Sequence, residues 1–475
     1  MLYKKTAVTL FVAIAIGLAL SGCAYQPVSD TPQVQTPLLK DLPEAKGLAL
    51  QQQPEARWWL RYGSSELNQL FDELNKNSID LATARQRIDK ARALLGQQRA
   101  EDWPSLDLDV SKRATRNFKS SQSSDGSGLD FSAGYEIDLW GSRSAARYSA
   151  TINLIAQQQE YNSLLLQLQS TLAQSYFDFL ALRERITIAE QNLEASKELL
   201  NIIQLRYEAG SASGIEVNQQ RNTYLSTQAS TLSLQRNLAS SERTLAVLLG
   251  RESLAVPELT AGFATINLPK VSLVQPASLL EYRPDIQLAE SQLRIGEAAL
   301  YQEKQKRWPT VRLSAGVGMD DIFDGGDTWI GSLVGSLAMP LFDAGKISQQ
   351  IEAAKSDVDI TLLNYQQIVI QAMQETVETL TELDYQRKLI LVRKQELENN
   401  QNLYNFSKLR YDSGDTDFIN LLTAQRSWFS SRDTMIQAKN AQLLATINVF
   451  KAMGMSPDLT EEELIDANDS TQDEE

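Results

Sequence analysis

Two stretches of this chain carry nearly the same text, Leu205-Arg206-Tyr207-Glu208-Ala209-Gly210 and Leu409-Arg410-Tyr411-Asp412-Ser413-Gly414. A shift of 204 superposes them, and the match runs without a gap from 205–250 onto 409–454. Upstream it persists with small slips. Asp80 and Ala84 fall on Asp285 and Ala289, Trp103-Pro104 on Trp308-Pro309, and Asp138-Leu139-Trp140 on Pro340-Leu341-Phe342. A period near 204 is far longer than any solenoid repeat. The chain holds two copies of one large unit.

Outward from Tyr207, apolar residues recur every seven positions as Leu165, Leu172, Phe179, Ile186, Leu193 and Leu200. The second copy repeats the register as Val369, Thr376, Leu383, Ile390, Leu397, Tyr404 and Tyr411, with one polar lapse. A sustained heptad predicts coiled-coil packing against neighbouring helices. At ~1.5 Å per residue, helices over 142–207 and 346–411 would each reach ~100 Å, beyond any globular core. Gly210 and Gly414 fall where a helix commonly ends in a left-handed turn. Return helices follow over roughly 215–249 and 418–453. Each copy opens with a shorter helix, 79–100 or 285–306, stopped by Trp103-Pro104 or Trp308-Pro309.

Between the short and the long helix, the pattern switches to period two. Leu106-Asp107-Leu108-Asp109-Val110 alternates, and so does the run from Leu129 to Leu139 that carries Asp130, Glu136 and Asp138. Val311–Val317 repeats the pattern and Trp329–Leu341 does so more weakly. Polar loops over 117–128 and 320–327 separate the strands of each pair. Alternation alone fits a half-buried sheet on a soluble core. A length of ~9–11 residues, apolar on one face and acidic on the other, also fits strands of a membrane barrel. The long heptads favour the second reading.

Composition narrows the chemistry. The 475 residues carry 45 Lys+Arg against 60 Asp+Glu, a net charge of −15, which argues against a nucleic-acid scaffold. With no His and one Cys, the chain cannot hold a Ser-His-Asp triad, a Cys-His dyad, a His- or multi-Cys zinc site or a disulfide framework. Only 23 Gly and 13 Pro suit long helices better than a turn-rich sandwich.

The beginning of the chain is an address. Lys4-Lys5 precede an apolar run over 7–20, too short for a comfortable span and typical of a secretory signal. It ends in Leu20-Ser21-Gly22-Cys23, which resembles the bacterial lipobox, and the sole Cys stands at the position that receives lipid. A small buried thiol in an anchor helix is the plainer alternative. Ala24, not Asp, follows the Cys, which under the sorting pattern of such lipoproteins implies the outer membrane. The chain thus divides into a signal over 1–22, a tether and equatorial segment over 23–75, and a first repeat over 76–255. A linker over 256–280, a second repeat over 281–456 and an acidic tail over 457–475 complete it.

Four strands per chain cannot sit in lipid as an open sheet with unpaired edges. Membrane barrels begin at ~8 strands, so chains must associate. Three chains supply twelve strands and twelve long helices. The expected fold is mainly α with a membrane β-barrel portion: a trimeric twelve-stranded barrel continuous with a twelve-helix periplasmic α-barrel.

Several motifs carry a family resemblance: the lipobox at Cys23, Trp58-Trp59 with Leu67, Trp103-Pro104 and Asp138-Leu139-Trp140-Gly141. So do Tyr282-Arg283-Pro284-Asp285-Ile286, Leu341-Phe342-Asp343-Ala344-Gly345 and the two Leu-Arg-Tyr turns. Together they resemble the outer-membrane efflux protein family, the TolC-like ducts, in its lipoprotein branch. The resemblance implies a homotrimeric exit duct that is not an enzyme and needs no cofactor beyond the lipid on Cys23. Its implied partners are a periplasmic adaptor, a proton- or ATP-driven inner-membrane pump and outer-membrane lipid, with no nucleic acid.

By the same resemblance, the hairpin ends over 205–215 and 409–419 form the periplasmic aperture and the adaptor's grip. Asp412, Asp415 and Asp417 surround Gly414 and in a trimer would each become three carboxylates near one axis, where repulsion is strong and cations are attracted; Asp415 and Asp417 are the expected members of an acidic ring. Asp417 reads equally as a cap of the return helix. Tyr411 and Arg410 are implied to latch neighbouring hairpins, whereas plain coiled-coil packing explains Tyr207 and Tyr411 as well. Members often carry Asp where this chain has Asn420 and Thr423. Asp107, Asp109, Asp130, Glu136 and Asp138 would line the lumen, as they would any polar face. Trp140 and Trp329 fit interfacial belts, and Trp140 also fits packing at a strand–helix junction.

The expected cargo is a drug or small toxic compound, favoured by the lipobox and the Arg283-Pro284-Asp285-Ile286 element; competing functions are a type I protein-secretion duct, a copper or silver duct, and a non-channel coiled-coil lipoprotein. A carboxylate-pair hydrolase completes the set. No Met cluster supports the metal duct, the strands oppose the scaffold, and nothing places two acids across a cleft.

Overall fold

A computed structural model describes Tyr25 and residues 50–51, 57–117, 122–252, 259–271, 273–274, 282–320 and 328–455. The signal run, Cys23, nearly all of the tether and the acidic tail lie outside these residues.

Each copy follows one order of elements. After α1 (Ser65–Asn77), the first copy runs α2 (Ile79–Ala100), β1 (Ser105–Asn117), β2 (Gln122–Ile137), α3 (Ser142–Glu208) and α4 (Gly214–Leu248). The second runs α5 (Pro284–Gln305), β3 (Thr310–Asp320), β4 (Trp329–Ala338), α6 (Lys346–Asp412) and α7 (Phe418–Ala452). Both long helices have 67 residues and both return helices 35. A separate two-residue parallel pair joins Leu50–Gln51 to Leu273–Val274.

Strand boundaries differ from the expectation: β1 runs past Val110 to Asn117, and β4 ends at Ala338, short of Leu341. The stretch read as a loop over 117–128 is mostly β2, which starts at Gln122 and pairs with β1 out to Asn117. Residues 122–128 are Ser, Gly and Gln with a single Asp, so neither face of the strand is apolar there and period-two hydrophobicity cannot reveal it.

The chain divides into two compact units. One comprises Met1–Val34, Gln86–Gln159 and Gln287–Ile368; the other comprises Gln35–Arg85, Glu160–Ile286 and Val369–Glu475. In the first unit the four strands form one antiparallel sheet in the order β1-β2-β3-β4. One face carries Leu106, Leu108, Val110, Phe131, Leu313, Val317, Leu333 and Leu337. All eight are exposed, Leu106 to 76% and Leu333 to 82%. The edge strands β1 and β4 have no further partner among the described residues. At the strand roots Trp140 stacks on Trp308 at 5.2 Å and donates to the Pro309 carbonyl at 2.7 Å. Its role here is junction packing.

The second unit has a dense core. Trp58, Tyr62, Phe71, Phe177 and Phe450 form an aromatic cluster in which Trp59 stacks on Phe71 at 4.3 Å. The Ser64 side chain caps α1 by accepting from the Leu67 N–H and also bonds the Tyr176 hydroxyl at 2.9 Å. The heptads behave as coiled-coil seams: Leu165, Leu172, Phe179, Val369 and Leu383 are buried. Thr376, the polar lapse, is fully buried and donates to the Ala372 carbonyl at 2.8 Å. Polar contacts also join α3 to α7, with Gln174 on Asn448, Asn440 on Asp178 and Arg185 on Asp433. Burial pushes the Asp178 carboxyl up against the bond from Asn440.

The Arg283-Pro284-Asp285 motif closes the second copy on itself. Arg283 donates to the Ala452 carbonyl at 2.8 Å and pairs with Asp285 and Glu375, both at 2.7 Å. Burial opposes its charge, but the two carboxylates outweigh burial and hold the guanidinium above its usual value. Gly454 makes the close approach possible, since a Cβ there would lie 3.1 Å from both Arg283 Cγ and the Tyr282 carbonyl. No helix among the described residues is long and apolar enough to cross a membrane.

Candidate functional site

Two places gather the residues singled out by sequence. The first is the polar face of the sheet. Alternation puts Asp107 and Asp109 of β1 on one face, and the register sets Asp109 directly opposite Asp130 of β2. Glu136 shares that face and lies opposite Arg312 of β3. Gly318 lies opposite Asp130, where a Cβ would come within 2.1 Å of Asp130 Oδ1. Only glycine lets that carboxylate lie across the strand.

Asp138 does not belong with the other four. It lies past the end of β2, and its Oδ2 accepts the Ser144 N–H at 2.9 Å, satisfying a free donor in the first turn of α3. The polar face also carries Arg113 of β1, Arg312 and Asp320. Arg312 sits in the alternating Val311–Val317 run, so its parity was readable.

The second place is the pair of hairpin ends. Both turns use the same backbone device. Gly210 and Gly414 have φ of 75° and 77°, and the next residue's N–H reaches back to the Arg206 or Arg410 carbonyl, 2.8 Å in each. The side chains then diverge. Tyr411 is 7% exposed and packs with Leu200, Ile203, Val217, Phe418, Leu421 and Leu422, its ring 5.7 Å from Phe418. Tyr207 is 53% exposed.

Arg410 does not reach a neighbouring hairpin within the chain. Its Nε donates to Asp415 Oδ2 at 3.0 Å and its Nη2 to the Asp415 carbonyl at 3.1 Å, both inside its own turn. Instead Arg206 of the first copy spans the gap, its guanidinium 4.6 Å from the Tyr411 ring centre and 3.9 Å from Asp412. Sequence reasoning missed Arg206. The duplicated Leu-Arg-Tyr text marked it, but which of two equivalent arginines crosses over depends on tertiary packing. Asp417 occupies the position before α7 in an extended conformation, yet its side chain makes no cap bond. Asp412, Asp415 and Asp417 are all exposed. Asn420 bonds Thr416, and Thr423 bonds the Ile419 carbonyl. Among the described residues no group of His, Cys, Asp and Glu could hold a metal.

Comparison with known proteins places this geometry. The family model described as "Outer membrane efflux protein" matches twice, at residues 70–251 and 276–455. The pyoverdine export outer membrane protein OpmQ of Pseudomonas putida is 28% identical over 458 residues, covering 93% of this chain and 96% of its own. The solvent efflux pump outer membrane protein SrpC of Pseudomonas putida is 26% identical over 457 residues, covering 92% and 96%. Among solved structures, the CmeC outer membrane channel of Campylobacter jejuni superposes with a TM-score of 0.82 at 21% identity. It covers 94% of this chain and 98% of that one.

Proposed function

Because this chain belongs to the outer membrane efflux protein family, a family of channels and not of enzymes, we propose that three copies assemble into the exit duct of a tripartite efflux system. The duct passes small toxic organic compounds from an inner-membrane pump, through a periplasmic adaptor, to the outside. The names of the two relatives, one for a secreted pyoverdine and one for solvents, support small molecules as the cargo class. Cys23 carries the lipid that tethers the chain to the outer membrane.

The observation that carries this reading is the sheet. In water the bare apolar face of these four strands is unfavourable, and in lipid each unpaired backbone group on the two open edges costs several kcal/mol. Closure with two more copies removes both edges. The apolar face then meets lipid, and the face with Asp107, Asp109, Asp130 and Glu136 lines a wet bore. On α6 the exposed Ile370, Leu391, Leu403 and Phe406 supply further apolar surface for chain–chain contact. The hairpin ends form the aperture. There Arg410, Asp412, Asp415 and Asp417 present charge, while Tyr411 holds the end of α6 and Tyr207 stays exposed.

Detergent extraction followed by crosslinking and planar-bilayer recording tests the reading. It expects trimers that conduct, and a water-soluble monomer without conductance would overturn it.

A further inference from the structure

Tyr25 is the one described residue ahead of residue 50, and it sits in a built socket. Its ring lies 5.2 Å from Tyr148 and 4.8 Å edge-on to Tyr301, separations typical of attractive aromatic pairs. Its backbone N–H donates to Ser144 Oγ at 3.3 Å. Ser144 and Tyr148 share one face of the first turns of α3, and Tyr301 comes from α5, so both copies contribute.

The socket is braced to the strand roots. The Tyr301 hydroxyl donates to the Trp140 carbonyl at 2.9 Å, and the Ser144 N–H is held by Asp138. Such bracing fixes rings before any ligand arrives, which lowers the ordering cost of docking.

We propose that Tyr148, Tyr301 and Ser144 form a docking socket for the chain's own amino-terminal segment, with Tyr25 as the plug, fixing where residue 23 meets the bilayer. Two peptide links reach at most ~7 Å. A docked Tyr25 therefore confines the Cys23 sulfur to the neighbourhood of the strand–helix junction, and acyl chains on it enter the membrane beside the roots of the sheet. Burial, aided by Tyr148, Glu297 and Tyr301, pushes the Tyr25 hydroxyl up to about 12. The plug thus stays neutral at any pH the periplasm reaches. Docking stands independently of the lipid, whereas its role in placing acyl chains rests on the anchor reading above.

Amide exchange of the Tyr25 N–H in the full lipidated protein is the first test. Wild type and Tyr25→Phe should exchange at least ~10-fold more slowly than Tyr25→Ala or Tyr148→Ala. Equal rates in all four, at the level of an unstructured peptide, would overturn the socket. Tyr25→Ala alters a residue near the chain's start, so this arm survives if changes inside the socket disturb folding. The lone cysteine gives a second test: with a leader that prevents acylation, a nitroxide on Cys23 should be immobilised and should be freed by Tyr25→Ala. A label equally mobile in both proteins counts against docking. Palmitate labelling separates the two claims, because a chain that takes no palmitate yet keeps its Tyr25 amide protected loses the anchor and keeps the socket.

Discussion

The hairpin ends over 205–215 and 409–419 share a backbone and little else. Both close on a left-handed glycine, and both follow a helix of 67 residues. In the first, Gly214 stands where the second has Phe418, and Ser213 and Glu216 form a reciprocal capping box. In the second, Phe418 closes over Tyr411, and Asp417 and Asn420 hold the box positions without forming one. Duplication has preserved the fold of the turn. Divergence at a few side chains has made one end a well-capped, lightly packed tip and the other an aromatic core held by an arginine from its twin. The dependence runs one way, since Arg206 serves the second turn while Arg410 serves only its own.

The largest effect should come from removing that aromatic core. Tyr411→Ala deletes a buried ring and should cost about 3 kcal/mol locally, whereas Tyr207→Ala should stay within about 0.5 kcal/mol. Amide exchange across the two turns reads both, and equal losses would erase the contrast. Next is the arginine. Arg206→Ala should cost about 1 kcal/mol through the lost cation–π contact, and Arg410→Ala less, because its partner Asp415 is exposed. A double-mutant cycle of Arg206 with Tyr411 should show coupling, and additivity would break the one-way assignment.

The caps come third. Ser213→Ala should destabilise the start of α4 by about 1 kcal/mol, while Asp417→Ala, which removes no cap bond, should do little. Pairing Asp417→Ser with Asn420→Glu should rebuild the box and stabilise α7, as measured by thermal melting of the assembled protein.

The smallest effect is a pH dependence confined to the second end. Burial first, then Asp412 and Glu198, push the Tyr404 hydroxyl above its ordinary 10.0. The folded form therefore keeps a proton that the unfolded chain releases near that value. Stability from this group is complete below 10.0 and is lost as pH rises through the elevated folded value. Leu200 occupies the equivalent position in the first copy, so Tyr404→Phe should flatten the alkaline loosening of the second turn and leave the first unchanged.

Much of this was open to reading in the chain itself. The duplication, the long helices and the strands at Leu106, Leu129, Val311 and Trp329 follow from period and punctuation, because burial on one face forces both. The early part of β2 escaped, since a Ser- and Gly-rich strand between polar surroundings carries no apolar period. Placement of Asp138 as a helix cap, and of Arg206 over Tyr411, also escaped. A carboxylate one residue past a strand can line a face or cap a helix, and only the three-dimensional path decides. The grouping of Asp107, Asp109, Asp130 and Glu136 on one face needed nothing beyond parity and register.

Arg283 has a mechanical consequence. By gripping the carbonyl at the last residue of α7 together with Asp285 and Glu375, it works as a buckle on a belt that begins and ends at the same spot. Tension applied at the far turn of the second copy travels down two rods and meets at this fastening. The load is carried by the loop itself.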